Sequence, residues 1–292
     1  MTIRAAIDIG TNTSHIIIAS LHQGRLKKIL YRKRYYTYIA MDGIEHISAS
    51  AQARLYEAMH HFREVMDEYQ VESVRAVGTE ALRSANNGQE ILDHISTNYV
   101  VNIEIVSGER EAQLIFQGVS QIIDLADKSS VIIDIGGGSV EFIQVVSGKV
   151  VKLDSLPIGI ARLYKQFHLS DPITADQIDH IYDHLNIHCG KLINGLPDGT
   201  AVIGSAGTFE VLVKADSHQQ IGTISRQQFS KFYDQIVNLD LEARNNSDMF
   251  PPERARYIVT ALILVRYLFE TIACEEIVVS PYALKEGLIV DF

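Results

Sequence analysis

The chain has 292 residues, room for two domains at ~100–200 residues each. Hydrophobic residues make up 47% and charged residues 21%, which excludes a disordered, collagen-like or coiled-coil chain. The formal net charge is −10, from 26 Lys and Arg against 36 Asp and Glu, and argues against general affinity for duplex nucleic acid. The elements begin with a strand over Ala5–Ile9, a Gly/Asn-punctuated turn over Gly10–Ser14, and a second, apolar strand over His15–Ala19. A third strand is predicted near Leu26–Tyr31. From Ala49 to Tyr69 the period becomes helical, with Leu55, Met59, Phe62, Val65 and Met66 at three- and four-residue steps. A strand over Ser73–Val77 runs into Gly78-Thr79-Glu80 and a helix from about Ala81. Another, Asn102–Val106, runs into Ser107-Gly108-Glu109 and a helix with Leu114, Ile115 and Val119 on one face.

The opening then repeats. A strand over Ser130–Ile133 leads through Asp134-Ile135-Gly136-Gly137-Gly138-Ser139 into a strand over Val140–Val146. Asp8-Ile9-Gly10-Thr11-Asn12-Thr13 has the same order of strand, Asp, Gly turn, hydroxyl and strand. An internal duplication is the economical reading, with the boundary in the polar stretch Asp124–Ser129. The second half continues with helices near Thr174–Leu192, Arg226–Asn238 and Pro252–Thr271, strands over Ala201–Ile203 and Glu276–Val279, and a terminal helix from Ala283.

The glycine run Gly136–Gly138 is the sharpest chemical feature. Consecutive glycines reach backbone conformations closed to other residues, and their N–H groups can converge on an anion. No Gly-Lys-Ser/Thr triplet makes it a P-loop. A dinucleotide turn must open a helix, whereas Val140, Phe142, Val145 and Val146 continue as a strand. The reading is a phosphate loop inside a β-hairpin. A lone Asp at such a place forms a turn; the pair Asp8 and Asp134 suits Mg²⁺, which takes one or two carboxylates and keeps its waters.

Other motifs leave alternatives open. Ser107 reads as an N-cap with acids in the first helical turn, and spacing makes Glu109 and Glu111 equal candidates for a base. Arg83, one turn into a strand–loop–helix, is either a phosphate-gripping side chain or a solvated helix arginine. Gly204-Ser205-Ala206-Gly207-Thr208 has the same context and reads as a further phosphate or nucleoside contact, or a tight helix entry. Arg25, Lys27, Lys28, Arg32, Lys33 and Arg34 form a solvated strand face or a polyanion track. His180, His184 and His188, beside Cys189, read as a polar helix face sooner than a zinc site. Two cysteines give no disulfide framework. The longest apolar stretch, Ile258–Val265, stops at Arg266, far short of a membrane span, and Asp8 interrupts the first apolar segment, so no signal peptide is read. The expected location is the cytoplasm.

Together the motifs resemble one family. Ala6-Ile-Asp-Ile-Gly-Thr-Asn-Thr13 and Ile133-Asp-Ile-Gly-Gly-Gly-Ser-Val-Glu141 resemble the two phosphate motifs of the Ppx/GppA family, the exopolyphosphatases and guanosine pentaphosphate phosphohydrolases. Gly78–Asn86, Ser107–Ala112, Ile203–Thr208 and Ser280–Leu288 follow in that family's order. The resemblance implies an α/β fold of two tandem ribonuclease H-like domains of the actin/Hsp70 type with a central interdomain cleft. They span residues 1–124 and 125–292, with the terminal helix packing back on the first. It implies Glu111 as catalytic base, Arg83 as a phosphoryl grip, and Asp134 beside the metal and nucleophilic water. Mg²⁺ is the implied cofactor, with Asp8, Asp134 and Glu141 as its carboxylates. Gly10, Thr11, Asn12 and Thr13 form the first phosphate loop and Gly136, Gly137, Gly138 and Ser139 the second, with Gly207 and Thr208 as a further contact.

The implied activity is release of terminal phosphate from inorganic polyphosphate or guanosine pentaphosphate. Partners are then small phosphorylated molecules, with no duplex nucleic acid and no membrane, and a homodimer is the oligomer the family suggests. A kinase of the same superfamily and a non-catalytic alarmone or polyphosphate sensor are the rival readings. The sequence departs from the family pattern at Lys285, where arginine is common, at Tyr38–Glu45, where Arg-Leu-x-x-Gly is usual, and in ending soon after Gly287 without a helical HD-type extension. The expected form is a short, two-domain one.

Overall fold

A computed structural model describes residues 1–127, 129–213 and 221–291. The chain divides into two compact units, Met1–Ile122 with Tyr282–Phe292, and Ile123–Pro281. The division falls just before the polar stretch Asp124–Ser129 expected at the boundary, of which Lys128 lies outside the described residues. Residues 282–292 belong to the first unit.

The first unit contains β1 (Thr2–Ile9), β2 (Ser14–His22), β3 (Arg25–Tyr35), α1 (Ala49–Glu68), β4 (Ser73–Gly78), α2 (Glu80–Ser84), α3 (Gly88–Tyr99), β5 (Ile103–Ile105) and α4 (Gly108–Val119). Its sheet has the order β3-β2-β1-β4-β5, antiparallel among the first three strands and parallel from β1 to β5. Alternation along the strands divides the side chains. Ala5, Ile7, Ile9, Ile16 and Ile18 join a core with Leu55, Met59 and Phe62 of α1 and Ile91 and Ile95 of α3. Ala6 and Asp8 point to the opposite face.

The second unit repeats the plan. Its elements are β6 (Ser130–Ile135), β7 (Val140–Val146), β8 (Lys149–Leu156), α5 (Ile160–Gln166), α6 (Ala175–Asn194), β9 (Ala201–Ser205), α7 (Ala206–Leu212), β10 (Gly222–Ser225), α8 (Arg226–Ile236), α9 (Leu241–Asn245), α10 (Ile258–Thr271) and β11 (Glu276–Val279). The order β10-β11-β9-β6-β7-β8 contains the first sheet's sequence of strands, with β8-β7-β6-β9-β11 in place of β3-β2-β1-β4-β5 and β10 added at the edge. The duplication seen in two hexapeptides is thus a duplication of sheet topology. The apolar stretch Ile258–Val265 lies in α10 and is buried there. No described helix is long and apolar enough to cross a membrane.

The last helix, α11 (Leu284–Val290), returns to the first unit and packs on α4, β1 and β2. The α4–α11 seam closes at backbone distance. A Cβ on Gly118 would fall 2.9 Å from Gly287 N, and one on Gly287 would overlap the Leu114 carbonyl. Only glycine at both places lets the helices approach this closely. Two ionic ties fix α11 further. Asp291 pairs with Arg75 and Arg110. Glu286, fully buried, accepts from Arg32 at 2.9 Å and from Ala283 N at 2.9 Å, with Lys285 Nζ 3.3 Å away.

Several elements differ from the sequence reading. The helix after Gly78 is only five residues long, because the chain turns extended at Ala85. The helix expected over Pro252–Thr271 is a 3₁₀ turn at Pro252–Arg254 followed by α10. Helices α3, α5 and α9 and strands β8 and β10 have no counterpart in that reading.

Candidate active site

The two hairpin loops are built alike. Gly10 N donates to Thr13 O at 2.9 Å, and Gly136 N to Ser139 O at 3.0 Å. Each closes a four-residue turn between its strands. In the second loop the carbonyls of Gly136, Gly137 and Gly138 accept from Ile160 N, Ala161 N and Gly159 N at 3.0, 2.9 and 3.2 Å. They thereby satisfy the orphan donors at the start of α5. A peptide N–H points away from the preceding residue's carbonyl. The N–H groups of Gly137, Gly138 and Ser139 therefore turn away from α5 together, as an anion cradle requires. Gly159 is held to glycine by the approach of this loop, since a Cβ would overlap Gly137 and Gly138 backbone. In the first loop the carbonyls of Thr11 and Asn12 accept from Ala40 N and Tyr38 N at 3.4 and 2.9 Å. The same reasoning turns the N–H groups of Asn12 and Thr13 the other way. Tyr38 and Ala40 thus anchor this loop through their backbone N–H groups.

Behind each loop a row of side chains runs across the sheet. Asp134 on β6 is flanked by Ser205 on β9 and Glu141 on β7, and Glu141 by Ser155 on β8. Ser205 Oγ donates to Asp134 Oδ2 at 2.7 Å, and Ser155 Oγ to Glu141 Oε1 at 2.8 Å. Both acids are buried. Asp8 on β1 faces His15 on β2. Burial pushes the Asp8 carboxyl up to about 6, against the opposite pull of the Lys285 ammonium on α11. Ser205 and Lys285 have only motif membership in the sequence; their positions beside the aspartates come from strand register and from the return of α11.

Burial separates the two glutamates that spacing leaves equal. Ser107 caps α4, accepting from Arg110 N at 3.2 Å. Glu109 is exposed, whereas Glu111 is buried with Arg83 Nη1 3.7 Å from its Oε2. Arg83 also donates to Val106 O and pairs with Glu80. The guanidinium is therefore held by side-chain and carbonyl partners, and α2 is too short to act as a helix-end anion site.

Thr208 is buried and donates to Ile135 O at 3.3 Å, so its hydroxyl ties α7 to the strand before the glycine loop. Gly207 lies under the Arg254 guanidinium, which a Cβ would strike. Ala206 holds a left-handed φ of 64° at this entry. The basic stretch lies on the edge strand β3, where exposed cations discourage pairing with another chain. Two of its six members, Arg32 and Arg34, are engaged inward with Glu286 and His15. His184 packs against Phe167 and His188.

Among the described residues, no group of three or more His, Cys, Asp or Glu could hold a metal ion by itself. His180, His184 and His188 form no such group. Mg²⁺ makes a smaller demand, one or two carboxylates with waters and phosphate oxygens completing the shell. The opposed pair Asp134 and Glu141 meets it, with each carboxylate steadied by a serine, and Asp8 offers one further carboxylate in the first unit.

Comparison with known proteins shows the family to which the chain belongs. Residues 17–292 match the Ppx/GppA phosphatase family. A guanosine-5'-triphosphate,3'-diphosphate pyrophosphatase of Photobacterium profundum is 26% identical over 98% of the chain. The chain spans 58% of that protein's length. The crystal structure of an exopolyphosphatase from Cytophaga hutchinsonii superposes with a TM-score of 0.92 at 31% identity, covering 98% of this chain and 96% of that one. The Aquifex aeolicus PPX-GPPA enzyme shares the fold with a TM-score of 0.81 at 24% identity, covering 100% and 99%.

Proposed function

Since the chain belongs to the Ppx/GppA phosphatase family, we propose that it hydrolyses the terminal phosphoanhydride bond of inorganic polyphosphate or guanosine pentaphosphate and releases orthophosphate. One observation carries the reading. In a chain matching the family over residues 17–292, Glu111, which the resemblance makes the base, is buried beside Arg83, while its neighbour Glu109 is exposed.

In this reading Glu111 orients a water and accepts its proton as the oxygen attacks the terminal phosphorus. The anhydride P–O bond breaks, and its electron pair leaves with the shortened phosphate chain. Phosphoryl transfer draws most of its catalysis from positioning and from stabilising charge on the phosphoryl oxygens. Arg83 contributes to that charge stabilisation; its guanidinium carries five donors, more than its protein partners occupy. The N–H groups of Gly137, Gly138 and Ser139 hold phosphate in the second unit, and those of Asn12 and Thr13 in the first. Asp134 and Glu141 in the second unit would hold Mg²⁺, which when bound neutralises phosphate charge, and Asp8 would offer a carboxylate to a cation in the first unit.

The test is orthophosphate release from polyphosphate and from guanosine pentaphosphate, side by side, with Mg²⁺ and with EDTA. Metal-dependent release is expected, and the faster substrate names the preference. Tight binding of either compound without release would replace the hydrolase with a sensor. ATP loss that requires an added acceptor would replace it with a kinase.

A further inference from the structure

A row of three side chains crosses the first hairpin. Asp8 on β1 stands opposite His15 on β2, and His15 stands opposite Arg34 on β3. Directly opposed residues of antiparallel strands share a face and meet. Arg34 Nε donates to His15 Nε2 at 2.8 Å, and His15 Nδ1 lies 3.4 Å from Asp8 Oδ2. Arginine has no acceptor and keeps its proton, so the ring nitrogen it approaches must offer a lone pair. The imidazole proton is then on Nδ1 and donates to Asp8. Arg34, two strands away, thus sets the tautomer through which His15 holds the aspartate. The second hairpin holds its aspartate differently, with Glu141 and Ser155 at the positions of His15 and Arg34.

We propose that His15 and Arg34 are positioning residues for the phosphohydrolase reaction, holding the Asp8 carboxylate in one orientation for its divalent cation. The proposal rests on the hydrolase reading and on Asp8 as a metal carboxylate within it. Hydrogen bonds to a metal-binding group from the next layer out are worth ~10–100-fold in metal affinity or activity.

His15→Leu and Arg34→Gln should each raise the Mg²⁺ concentration for half-maximal phosphate release by ~10–100-fold. KM for the phosphate substrate at saturating Mg²⁺ should move less than about threefold, because uniform substrate binding is untouched. His15→Asn places an amide N–H near the position of Nδ1 and should recover most of the loss. Two readouts need no turnover. Nitrogen NMR of isotope-labelled histidine should show His15 as the Nδ1–H tautomer, and Arg34→Gln should shift it toward Nε2–H. Mn²⁺ titration followed by electron paramagnetic resonance should show the same weakening in both variants.

An Nε2–H tautomer in the unsubstituted protein overturns the proposal, as does a metal requirement unmoved by either substitution. If His15→Leu does not fold, Arg34→Gln carries the test. If the unsubstituted protein hydrolyses neither substrate, the hydrolase reading fails separately. The tautomer and the Mn²⁺ titration then still judge the row, with weaker binding in Arg34→Gln upholding it and unchanged binding overturning it.

Discussion

Asp134 and Glu141 face each other across the second hairpin, two buried carboxylates directly opposed on adjacent strands. Opposed like charges destabilise a strand pair. Ser205 and Ser155 each give one acid a hydrogen bond from a neutral hydroxyl, which adds no opposite charge. The first hairpin, with the same register, sets His15 against Asp8 and has no such conflict. If both acids are ionised in the second hairpin, the pair is repulsive, and a cation between them would relieve that repulsion.

Glu141→Gln should accordingly stabilise the metal-free protein while abolishing metal-dependent turnover. Removing one charge of the pair should raise the melting temperature in EDTA by ~2–4 °C. The gain in melting temperature on adding Mg²⁺ should shrink in the variant. A variant that melts below the unsubstituted protein in EDTA would show that Glu141 is needed for the fold and refute the idea of a relieved repulsion.

Glu111→Gln should lower the rate of phosphate release by ~10²–10⁴-fold, the usual worth of a positioned general base. Substrate affinity, measured by equilibrium binding, should stay nearly constant. Glu109→Gln, at the exposed neighbour, should leave both quantities alone. Equal losses in the two variants would mean that the first turn of α4 acts through its shape or charge, with no specific base.

These expectations show where the sequence is informative. The Asp-Ile-Gly hairpins and the cap at Ser107 are local, since a few consecutive residues contain the strand, the turn and the hydroxyl. Glu111 cannot be separated from Glu109 by spacing because both occupy the first turn of one helix, and only packing makes one inward. In the sequence His15 is the start of an apolar strand, and Arg34 one of six cations. Their meeting with Asp8 depends on the register of three strands, which an alternating pattern does not reveal. Helix α3 escapes a sequence reading for a local reason: Asn87 caps it without a side-chain hydrogen bond, and Gly88 opens it.

The α4–α11 seam supplies a stability test. Gly287→Ala and Gly118→Ala each put a methyl group into facing backbone, which cannot give way as a side chain can. Each should lower unfolding stability by ~3 kcal/mol or more, the upper range for overpacking. Urea titration followed by circular dichroism measures this. A loss below ~1 kcal/mol would mean that the helices separate easily and that their close approach is not fixed.

The thiols should be quiet. Burial pushes Cys189 up to about 11, and it does the same to Cys274 despite the nearby Arg226. A raised pKa leaves less thiolate, only ~1 part in 1,000 at pH 8, and thiolate is the reactive form. Disulfide exchange with a chromogenic reagent should be at least ~100-fold slower in the native protein than in the denatured chain. Rapid native reaction would place one of the thiols in a more open setting.

The first unit is interrupted: residues 123–281 form the second unit before α11 comes back to cover α4 and β1. On the ribosome, the second unit is a continuous stretch that can close while its predecessor waits. The helix bearing Glu111 keeps one flank bare until Gly287 has been made. Copies lacking α11 would thus leave the proposed base on an unfinished scaffold, exposed to quality-control proteases.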